Sequence, residues 1–342
     1  MVFTQQKKIR NFWLGVALVV GLAALLTLGH SSLKQKEPVS FYVYPGDTKE
    51  MILEHLKEAG KTQHVGRISF LMDRMGYKPP FPSGHYKLAP GLSDFKLVRR
   101  LKSGIQTPIR LTFNNVRTVE QLAARLSTQL LVDSTSLLTC LKDTGWIRKE
   151  GFNQYTYTCV FLPNTYEAWW NARPEAIRDL LIREYHKFWD ESRVSAAKKH
   201  RLTPIEAQTL ASIVEEETNK GDEMSKVAGL YLNRLSIDMP LQADPTLKFA
   251  AGDLTLRRIY KVLMNIESPY NTYKHTGLPP GPSRITSIRA IEAVLNAQRH
   301  SYLYMCAKAD FSGYHAFATT LNQHTKNAIA YHKALNERGI IE

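Results

Sequence analysis

The stretch VSFYVYPGDTKEMILEHLKEAG, residues 39–60, contains in order the two kinds of element that decide the fold of this chain. It opens with an alternating strand pattern and continues through a Pro-Gly-Asp turn. It ends in an amphipathic segment, in which Met51, Ile52, His55 and Leu56 fall three or four residues apart. The stretch therefore predicts a small strand–turn–helix unit.

The same pattern returns about seventy residues later as IRLTFNNVRTVEQLAARLSTQL, residues 109–130, which indicates an internal repeat. Between the two copies, residues 81–104 supply a second short strand and a helix with Ser93 as its N-cap. Residues 158–170 supply the closing strand of the second copy. We therefore predict two small strand–helix modules, at residues 39–105 and 106–170.

The layout of these modules resembles that of LysM-like modules, which bind glycan backbones. The resemblance implies a carbohydrate-binding role for both copies. Strand–helix repeats are also common as purely structural units, so the pattern alone leaves both interpretations open.

From Asn171 onward the pattern becomes mainly helical. One helix places Ile177, Leu180, Leu181 and Tyr185 on a single apolar face, which is typical of a core helix. Two short strands near residues 301–319 then predict a β-hairpin, and a last helix follows. The fold class is therefore α+β, with a mainly helical domain with a β-hairpin at residues 171–342.

The N-terminus carries an uncharged apolar run at residues 12–29, directly after Lys7, Lys8 and Arg10. The run predicts a single transmembrane helix, with residues 1–11 in the cytoplasm and residues 30–38 as a linker. A cleaved signal peptide is the alternative, because the run is near the short end for a span. Either way the remaining chain is exported, and as an anchor the span would place it on the periplasmic side of the inner membrane.

The whole chain has a formal net charge of +14, and removing the three cations that precede the span leaves +11 outside the membrane. A carboxylate-bearing cell-wall polymer or lipid headgroups would complement this charge, whereas export argues against nucleic acid as a partner. A generally solvated basic surface is the alternative interpretation.

Three cysteines occur, at positions 140, 159 and 306, and no Cys/His spacing is typical of a zinc site. In an oxidising compartment Cys140 and Cys159 could form a disulfide that stabilises the fold by roughly 3 kcal/mol. Two buried free thiols are the alternative.

The strongest candidate for chemistry is a run of three glutamates in the segment LTPIEAQTLASIVEEET, residues 202–218. Thr203 and Glu206 fit a capping box and Pro204 fits the first helical position, so the helix register is well defined. In that register Glu216 lies opposite the apolar stripe and is expected to be solvated, and Glu215 lies at one margin. Glu217 continues the buried face.

A carboxyl carried into an apolar environment has a raised pKa, because burial disfavours its charged form. At neutral pH such a carboxyl can be protonated, as a general acid must be. Glu217 is therefore the candidate general acid. The alternative is that it ends the helix at a wet margin and pairs with Lys220 or Lys226.

Six stretches of the chain resemble, in order and spacing, the endolytic murein transglycosylase family, MltG/YceG-like. The stretches are LASIVEEET, KVAGLYLNRL, MPLQADPTL, YNTYKHTGLPPGP, YLYMCA and HAFATTLNQH. The resemblance extends through the membrane anchor and the repeated modules. It implies cleavage within peptidoglycan glycan strands between N-acetylmuramic acid and N-acetylglucosamine, with a 1,6-anhydro-muramoyl end as product.

The catalytic glutamate of that family maps onto Glu217, with no metal or organic cofactor implied. The resemblance also implies penicillin-binding proteins of the wall synthesis machinery as partners. Two positions depart from the family pattern. Glu216 stands where a basic residue is usual, and SRITS, residues 283–287, replaces the usual continuation after Pro-Pro-Gly.

Other residues of these stretches have side chains suited to an acetamido-sugar cleft. Asp244 is the best second carboxylate, with helix capping as its alternative role. His315 and His324 could assist catalysis or serve as hydrogen-bonded structural residues. The remaining candidates for substrate contacts are Gln242, Thr246, Asn271 and Tyr273.

Two other functions are consistent with the same pattern. A non-catalytic scaffold could use the modules and the basic surface to hold synthases at the wall. A hydrolase of the lysozyme kind would need a second catalytic carboxylate.

Overall fold

The computed structural model describes residues 12–16, 29–62, 64–253 and 261–339. The predicted cytoplasmic N-terminus at 1–11 and most of the predicted span at 12–29 lie outside these residues. Within the described residues, no helix has the length and apolarity needed to cross a membrane.

Two compact units divide the chain. The first unit comprises the residues up to Arg110 together with Glu167–Ala172. The second comprises Leu111–Tyr166 and the residues from Arg173 onward.

The first unit is built around a two-stranded antiparallel sheet. Its elements are β1 (Val39–Val43), α1 (Lys49–Gly60), α2 (Gly66–Arg74), β2 (Gly84–Leu88) and α3 (Asp94–Lys102). Strand β1 pairs with β2 in a register that runs from Val39–Leu88 to Val43–Gly84. The hydroxyl of Ser93 accepts a hydrogen bond from the backbone N–H of Lys96, so the predicted N-cap of α3 is confirmed.

The core of this unit lies between the sheet and the helices. Ile52 and Leu56 are fully buried, as the spacing in α1 predicts, whereas Met51 is 47 % exposed. The short helix α2 between the two strands was not predicted from the sequence. It adds Ile68 and Met72 to the core.

The second copy of the repeat belongs mainly to the second unit, although its strand residues Ile109, Arg110, Glu167 and Ala168 belong to the first. Its elements are β3 (Ile109–Phe113), α4 (Val119–Ser127), α5 (Ser134–Leu141), α6 (Thr144–Lys149), a 3₁₀ turn (Tyr157–Val160) and β4 (Asn164–Ala168). Strand β3 pairs with β4, so the predicted closing strand is confirmed. The hydroxyls of Thr112 and Thr165 share a hydrogen bond of 2.8 Å across this pair.

The remainder of the second unit is mainly helical. Its elements are α7 (Pro174–Phe188), α8 (Glu191–Lys199), α9 (Pro204–Glu217), α10 (Met224–Ser236), α11 (Asp244–Ala250), a 3₁₀ helix (Lys261–Asn265), α12 (Ile288–Leu295), β5 (Tyr304–Ala307), β6 (His315–Ala318) and α13 (Leu321–Glu337). Helix α9 packs against α10, α11 and α12. The predicted hairpin is confirmed, because β5 pairs with β6 in antiparallel register, and α13 packs on it.

All three cysteines are free thiols, so the structure has the free-thiol alternative and not a Cys140–Cys159 disulfide. Cys159 is fully buried in the 3₁₀ turn, where burial raises the pKa of its thiol. Cys140 lies half-buried on α5. The mixed, mainly helical architecture agrees with the predicted α+β class.

Candidate active site

A cavity of about 310 Å³ opens in the second unit at the C-terminal end of α9. Helix α9 contributes Glu217, and α10 contributes Leu230, Tyr231 and Arg234. The other walls come from the start of α11, the loop that carries Tyr273, the strands of the hairpin and α13. Their lining residues are Leu241, Gln242, Asp244, Tyr273, Met305, Cys306, Ala307, His315 and His324.

The position of Glu217 is set by the start of its helix. The hydroxyl of Thr203 accepts from the backbone N–H of Glu206, and the Glu206 carboxylate accepts from the backbone N–H of Thr203. This confirms the predicted capping box and fixes the phase of α9. The apolar stripe of the helix is fully buried. Its members are Ala207, Leu210, Ala211, Ile213 and Val214.

Glu217 is the last residue of α9, and part of its surface opens into the cavity. The phenol of Tyr231 donates a hydrogen bond of 2.9 Å to its Oε1. The pKa of Glu217 is raised to about 7, because burial disfavours the charged form. The Tyr231 hydrogen bond opposes this rise in pKa, whereas the charge of Asp244 adds to it. The raised pKa expected for Glu217 is therefore confirmed.

Tyr231 and Arg234 lie one helical turn apart on α10, and neither was predicted from the sequence as a site residue. The Arg234 guanidinium is held by backbone carbonyls: its Nε donates to Leu303 at 2.6 Å and its Nη1 to Leu241 at 2.7 Å. Arg234 is only 8 % exposed and burial lowers its pKa. The available signal was their i, i+3 spacing, which places a phenol and a guanidinium on one face of the helix.

Asp244 and Tyr273 form a pair at the mouth of the cavity. The phenol of Tyr273 donates a hydrogen bond of 2.6 Å to Asp244 Oδ1. Asp244 is the first residue of α11, and the N-cap position before it, Ala243, has no side-chain hydrogen bond. Asp244 therefore contacts Tyr273 at the cavity and does not cap the helix. Its neighbour Gln242 is exposed and also lines the cavity.

Thr246 and Asn271 do not line the cavity. The fully buried hydroxyl of Thr246 donates to the carbonyl of Ala243 at 2.7 Å. The Asn271 amide nitrogen donates to the carbonyls of Met264 and Ile266, both at 2.9 Å. These bonds hold the loop together, so this placement favours a structural role over the predicted contact with substrate.

Both candidate histidines line the cavity. His315, at the start of β6, places its Nδ1 at 2.8 Å from Glu223 Oε2. His324, on α13, stacks on Tyr304 with ring centroids 5.5 Å apart. Burial lowers the pKa of His324.

The other two glutamates have structural partners. The helical wheel predicted that Glu216 is solvated. In the structure its side chain is only 13 % exposed and pairs with both Arg117 and Arg284. The prediction that Glu216 is solvated is therefore wrong. Glu215 accepts a hydrogen bond of 2.9 Å from the backbone N–H of Ser287.

The YceG-like family model matches residues 41–330 of the chain. The chain belongs to the YceG-like family. It is 31 % identical over 276 residues to the endolytic murein transglycosylase of Bacillus subtilis (strain 168), and the match covers 75 % of each protein.

Two further matches extend this comparison. The endolytic murein transglycosylase of Streptococcus pneumoniae serotype 2 (strain D39) is 28 % identical over 323 residues, which are 85 % of this chain and 58 % of the relative. The crystal structure of a putative YceG-like protein from Listeria monocytogenes matches with a TM-score of 0.56 and 24 % identity, covering 85 % of this chain and 99 % of that one. That likeness supports the fold alone.

The cavity of this YceG-like chain brings together a carboxyl that can be protonated at neutral pH, a second carboxylate and a buried cation. These are Glu217, Asp244 and Arg234. Among the described residues no group of His, Cys, Asp or Glu side chains is arranged to hold a metal ion. The arrangement suits proton transfer to and from a bound substrate.

Proposed function

We propose that the chain is an endolytic lytic transglycosylase, a carbon–oxygen lyase that acts within peptidoglycan glycan strands. The observation that carries the proposal is the placement of Glu217, whose pKa of about 7 leaves it protonated in a substantial fraction of molecules at neutral pH. The family membership and the names of the two relatives support the substrate class.

The proposed reaction needs only one carboxyl that acts twice. Glu217 first donates its proton to the glycosidic oxygen between N-acetylmuramic acid and N-acetylglucosamine, and the bond from that oxygen to the muramoyl C1 breaks. The muramoyl 6-hydroxyl then attacks C1, and the Glu217 carboxylate takes its proton. The product is a 1,6-anhydro end, and no water is consumed.

The other residues that line the cavity supply contacts for the substrate. Asp244 offers a negative charge to the oxocarbenium-like centre that develops as the bond breaks. The Tyr273 ring offers a face for packing against a sugar, and the Gln242 amide can bond to hydroxyl or acetamido groups. Each of these roles follows from placement at the cavity and from side-chain chemistry.

The first unit gives support to a glycan-binding, LysM-like role for the first module. A cavity of about 830 Å³ lies there between the β1–α1 loop and the α2–β2 loop. The rings of Tyr77 and Phe81, with centroids 4.6 Å apart, form part of its wall. The buried Tyr77 hydroxyl has no hydrogen-bond partner among the described residues.

The proposal includes an anchor in the inner membrane, with the catalytic portion in the periplasm. The apolar run at residues 12–29 supports this anchor. Penicillin-binding proteins are the proposed partners, because the family resemblance implies an enzyme that works beside the wall synthesis machinery.

The test is product analysis of full-length protein in detergent, incubated with purified glycan strands. Mass spectrometry should find anhydro-ended fragments with the parent protein and none with Glu217→Gln. Glu191→Gln is the matched control, because Glu191 is an exposed glutamate outside the cavity. It should behave as the parent does.

The other outcomes identify the alternatives. Reducing ends in place of anhydro ends would mean a hydrolase that uses water and a second carboxylate. Strand binding without products, in both the parent and the Glu217→Gln protein, would favour the non-catalytic scaffold.

A further inference from the structure

A buried carboxylate outside the proposed mechanism holds one of the residues of the cavity. Glu223 is 6 % exposed and lies immediately before α10. Its Oε1 accepts the backbone N–H of His315 at 2.8 Å, and its Oε2 lies 2.8 Å from Nδ1 of the same residue. The hydroxyl of Thr218 donates a third hydrogen bond to Glu223, at 3.1 Å. Glu223 therefore fixes both the backbone and the ring of His315.

The contact with Glu223 determines which nitrogen of His315 is available for chemistry. An ionised carboxylate only accepts hydrogen bonds, so the proton of the neutral ring resides on Nδ1. The lone pair is then on Nε2, and among the described residues Nε2 has no hydrogen-bond partner. Since His315 lines the same cavity as Glu217, a substrate held there can meet both side chains.

The same segment of chain links the two groups. Thr218, which bonds to Glu223, is the residue directly after Glu217 and the C-cap of α9. Glu217 is thus connected to His315 through its neighbour Thr218 and through Glu223. A carboxylate that orients a histidine whose second nitrogen faces a hydroxyl is the arrangement that activates serine in hydrolases of several folds.

We propose that His315, oriented by Glu223, is the general base that removes the proton from the muramoyl 6-hydroxyl, which leaves Glu217 to act as the acid. This inference rests on the proposed function and divides between two residues the roles that a single glutamate would otherwise combine.

The step balances without any co-reactant. Glu217 gives its proton to the leaving oxygen as the bond between that oxygen and C1 breaks. The 6-oxygen forms its bond to C1 and loses its proton to Nε2 of His315. The resulting imidazolium is paired with Glu223, and solvent carries the proton from His315 back to the Glu217 carboxylate for the next turnover.

The test is the pH dependence of the formation of anhydro ends, measured on the full chain in detergent. Two limbs are expected for the parent, because the reaction needs Glu217 protonated and His315 neutral. The other ionisable side chains that line the cavity with His315 are Tyr231 and Arg234 of α10, Asp244 of α11, Tyr273, Cys306 of β5 and His324 of α13.

The decisive variant is His315→Asn, whose amide N–H can keep the hydrogen bond to Glu223 while the Nε2 position is lost. We expect its kcat to fall about 100-fold to 10,000-fold with KM nearly unchanged, and the low-pH limb to disappear. His186→Asn is the matched control, since His186 also lies near a glutamate, Glu150 at 4.0 Å, but is exposed and outside the cavity. It should keep both limbs.

Three results would overturn the inference. If the pH profile of the parent has no low-pH limb, the reaction does not require a histidine in its neutral form. A low-pH limb retained in His315→Asn belongs to another group, such as Asp244. A high-pH limb that merely moves upward in that variant, with kcat maintained, makes His315 an electrostatic neighbour only, because its charge lowers the pKa of Glu217.

The design separates this inference from the proposed function. If the parent produces no anhydro ends, the proposed function itself fails. If His315→Asn does not fold, His315→Gln decides between the two roles. It keeps a hydrogen-bonding group near the Nε2 position but cannot act as a base, so unchanged kcat in that variant overturns the inference.

Discussion

Tyr231 donates its phenolic hydrogen to Glu217 across 2.9 Å, and this bond joins the end of α9 to the middle of α10. The bond favours the ionised carboxylate, whereas burial favours the neutral acid, and burial is the larger effect. The pKa of about 7 results mainly from these two opposing effects, with smaller contributions from the charges of Asp244, His315 and Arg234. Substitutions that change the pKa of Glu217 should therefore change the pH dependence of activity.

Replacing Tyr231 with Phe should shift the high-pH limb of the kcat/KM profile to higher pH. The substitution keeps the ring and removes only the donor, so the Glu217 carboxylate loses its hydrogen bond and its pKa rises. A hydrogen bond to a charged group contributes about 1.5–3 kcal/mol, which corresponds to a rise of about one pH unit or more. Rates of formation of anhydro ends between pH 5 and pH 9 measure the shift. A downward shift would contradict the assigned donor role.

Replacing Asp244 with Asn should move the same limb in the opposite direction. The charge of Asp244 raises the pKa of Glu217, so its removal lowers that pKa. The shift should be small, about a few tenths of a pH unit, because Asp244 is exposed and solvent screens its charge. The amide oxygen of Asn can still accept the hydrogen bond from Tyr273.

The size of kcat in Asp244→Asn tests a separate point. If Asp244 stabilises the developing positive charge on the sugar, kcat should fall about 100-fold or more even at the pH optimum of the variant. A kcat equal to that of the parent would leave Asp244 with only its effect on the pKa of Glu217. Tyr273→Phe is the control, since it removes the partner of Asp244 and keeps the charge.

Much of the fold was predictable because short-range rules decide it. The capping box of Thr203 and Glu206 sets the register of α9, and the register places Glu217 on the buried face. The repeated strand–helix pattern and the hairpin likewise depend on alternation and turns within about twenty residues. Helix α2 was missed since Gly66–Arg74 is short and has no side-chain cap.

The rest of the site depends on contacts that no local pattern contains. A helical wheel assigns one buried face, so it placed Glu216 in solvent; yet Arg117 and Arg284, distant in sequence, both reach it. Tyr231 joins the site only because α10 packs on α9. Asn271 has a side chain suited to an acetamido group, but its amide nitrogen donates hydrogen bonds to carbonyls of its own loop. Chemical type alone could not separate these roles.

Replacing Glu216 with Gln should destabilise the second unit by about 1–3 kcal/mol. The substitution removes the charge that pairs with Arg117 and with Arg284, which is only 11 % exposed, although Arg284 keeps Glu215 as a second partner at 3.5 Å. Chemical denaturation followed by circular dichroism measures the change in the free energy of unfolding. Glu337→Gln is the control, because Glu337 lies in the same unit and makes an exposed ion pair with Lys333, so its loss should cost less than about 1 kcal/mol. Equal effects of the two substitutions would mean that the ion pairs of Glu216 contribute no more to stability than an exposed ion pair does.

Glu217→Gln should be more stable than the parent at high pH, although it is inactive. The pKa of Glu217 in the folded protein, about 7, lies above the usual 4.5 of an accessible carboxyl. As pH rises from 4.5 to 7, the unfolded chain releases this proton more readily than the folded chain does, so folding stability is lost. The loss is complete above pH 7 and amounts to at most about 3 kcal/mol.

The difference in the free energy of unfolding between Glu217→Gln and the parent should therefore increase as pH rises. At pH 4 the two proteins carry a neutral side chain at this position and should have similar free energies of unfolding. At pH 8 the variant should be more stable by up to about 3 kcal/mol, because only the parent must hold a charge at the end of α9. Denaturant titrations at pH 4, 6 and 8 measure the difference. A difference that stays constant across this range would mean that Glu217 ionises in the folded protein as readily as in water, and a general acid at neutral pH would then have to be sought elsewhere in the cavity.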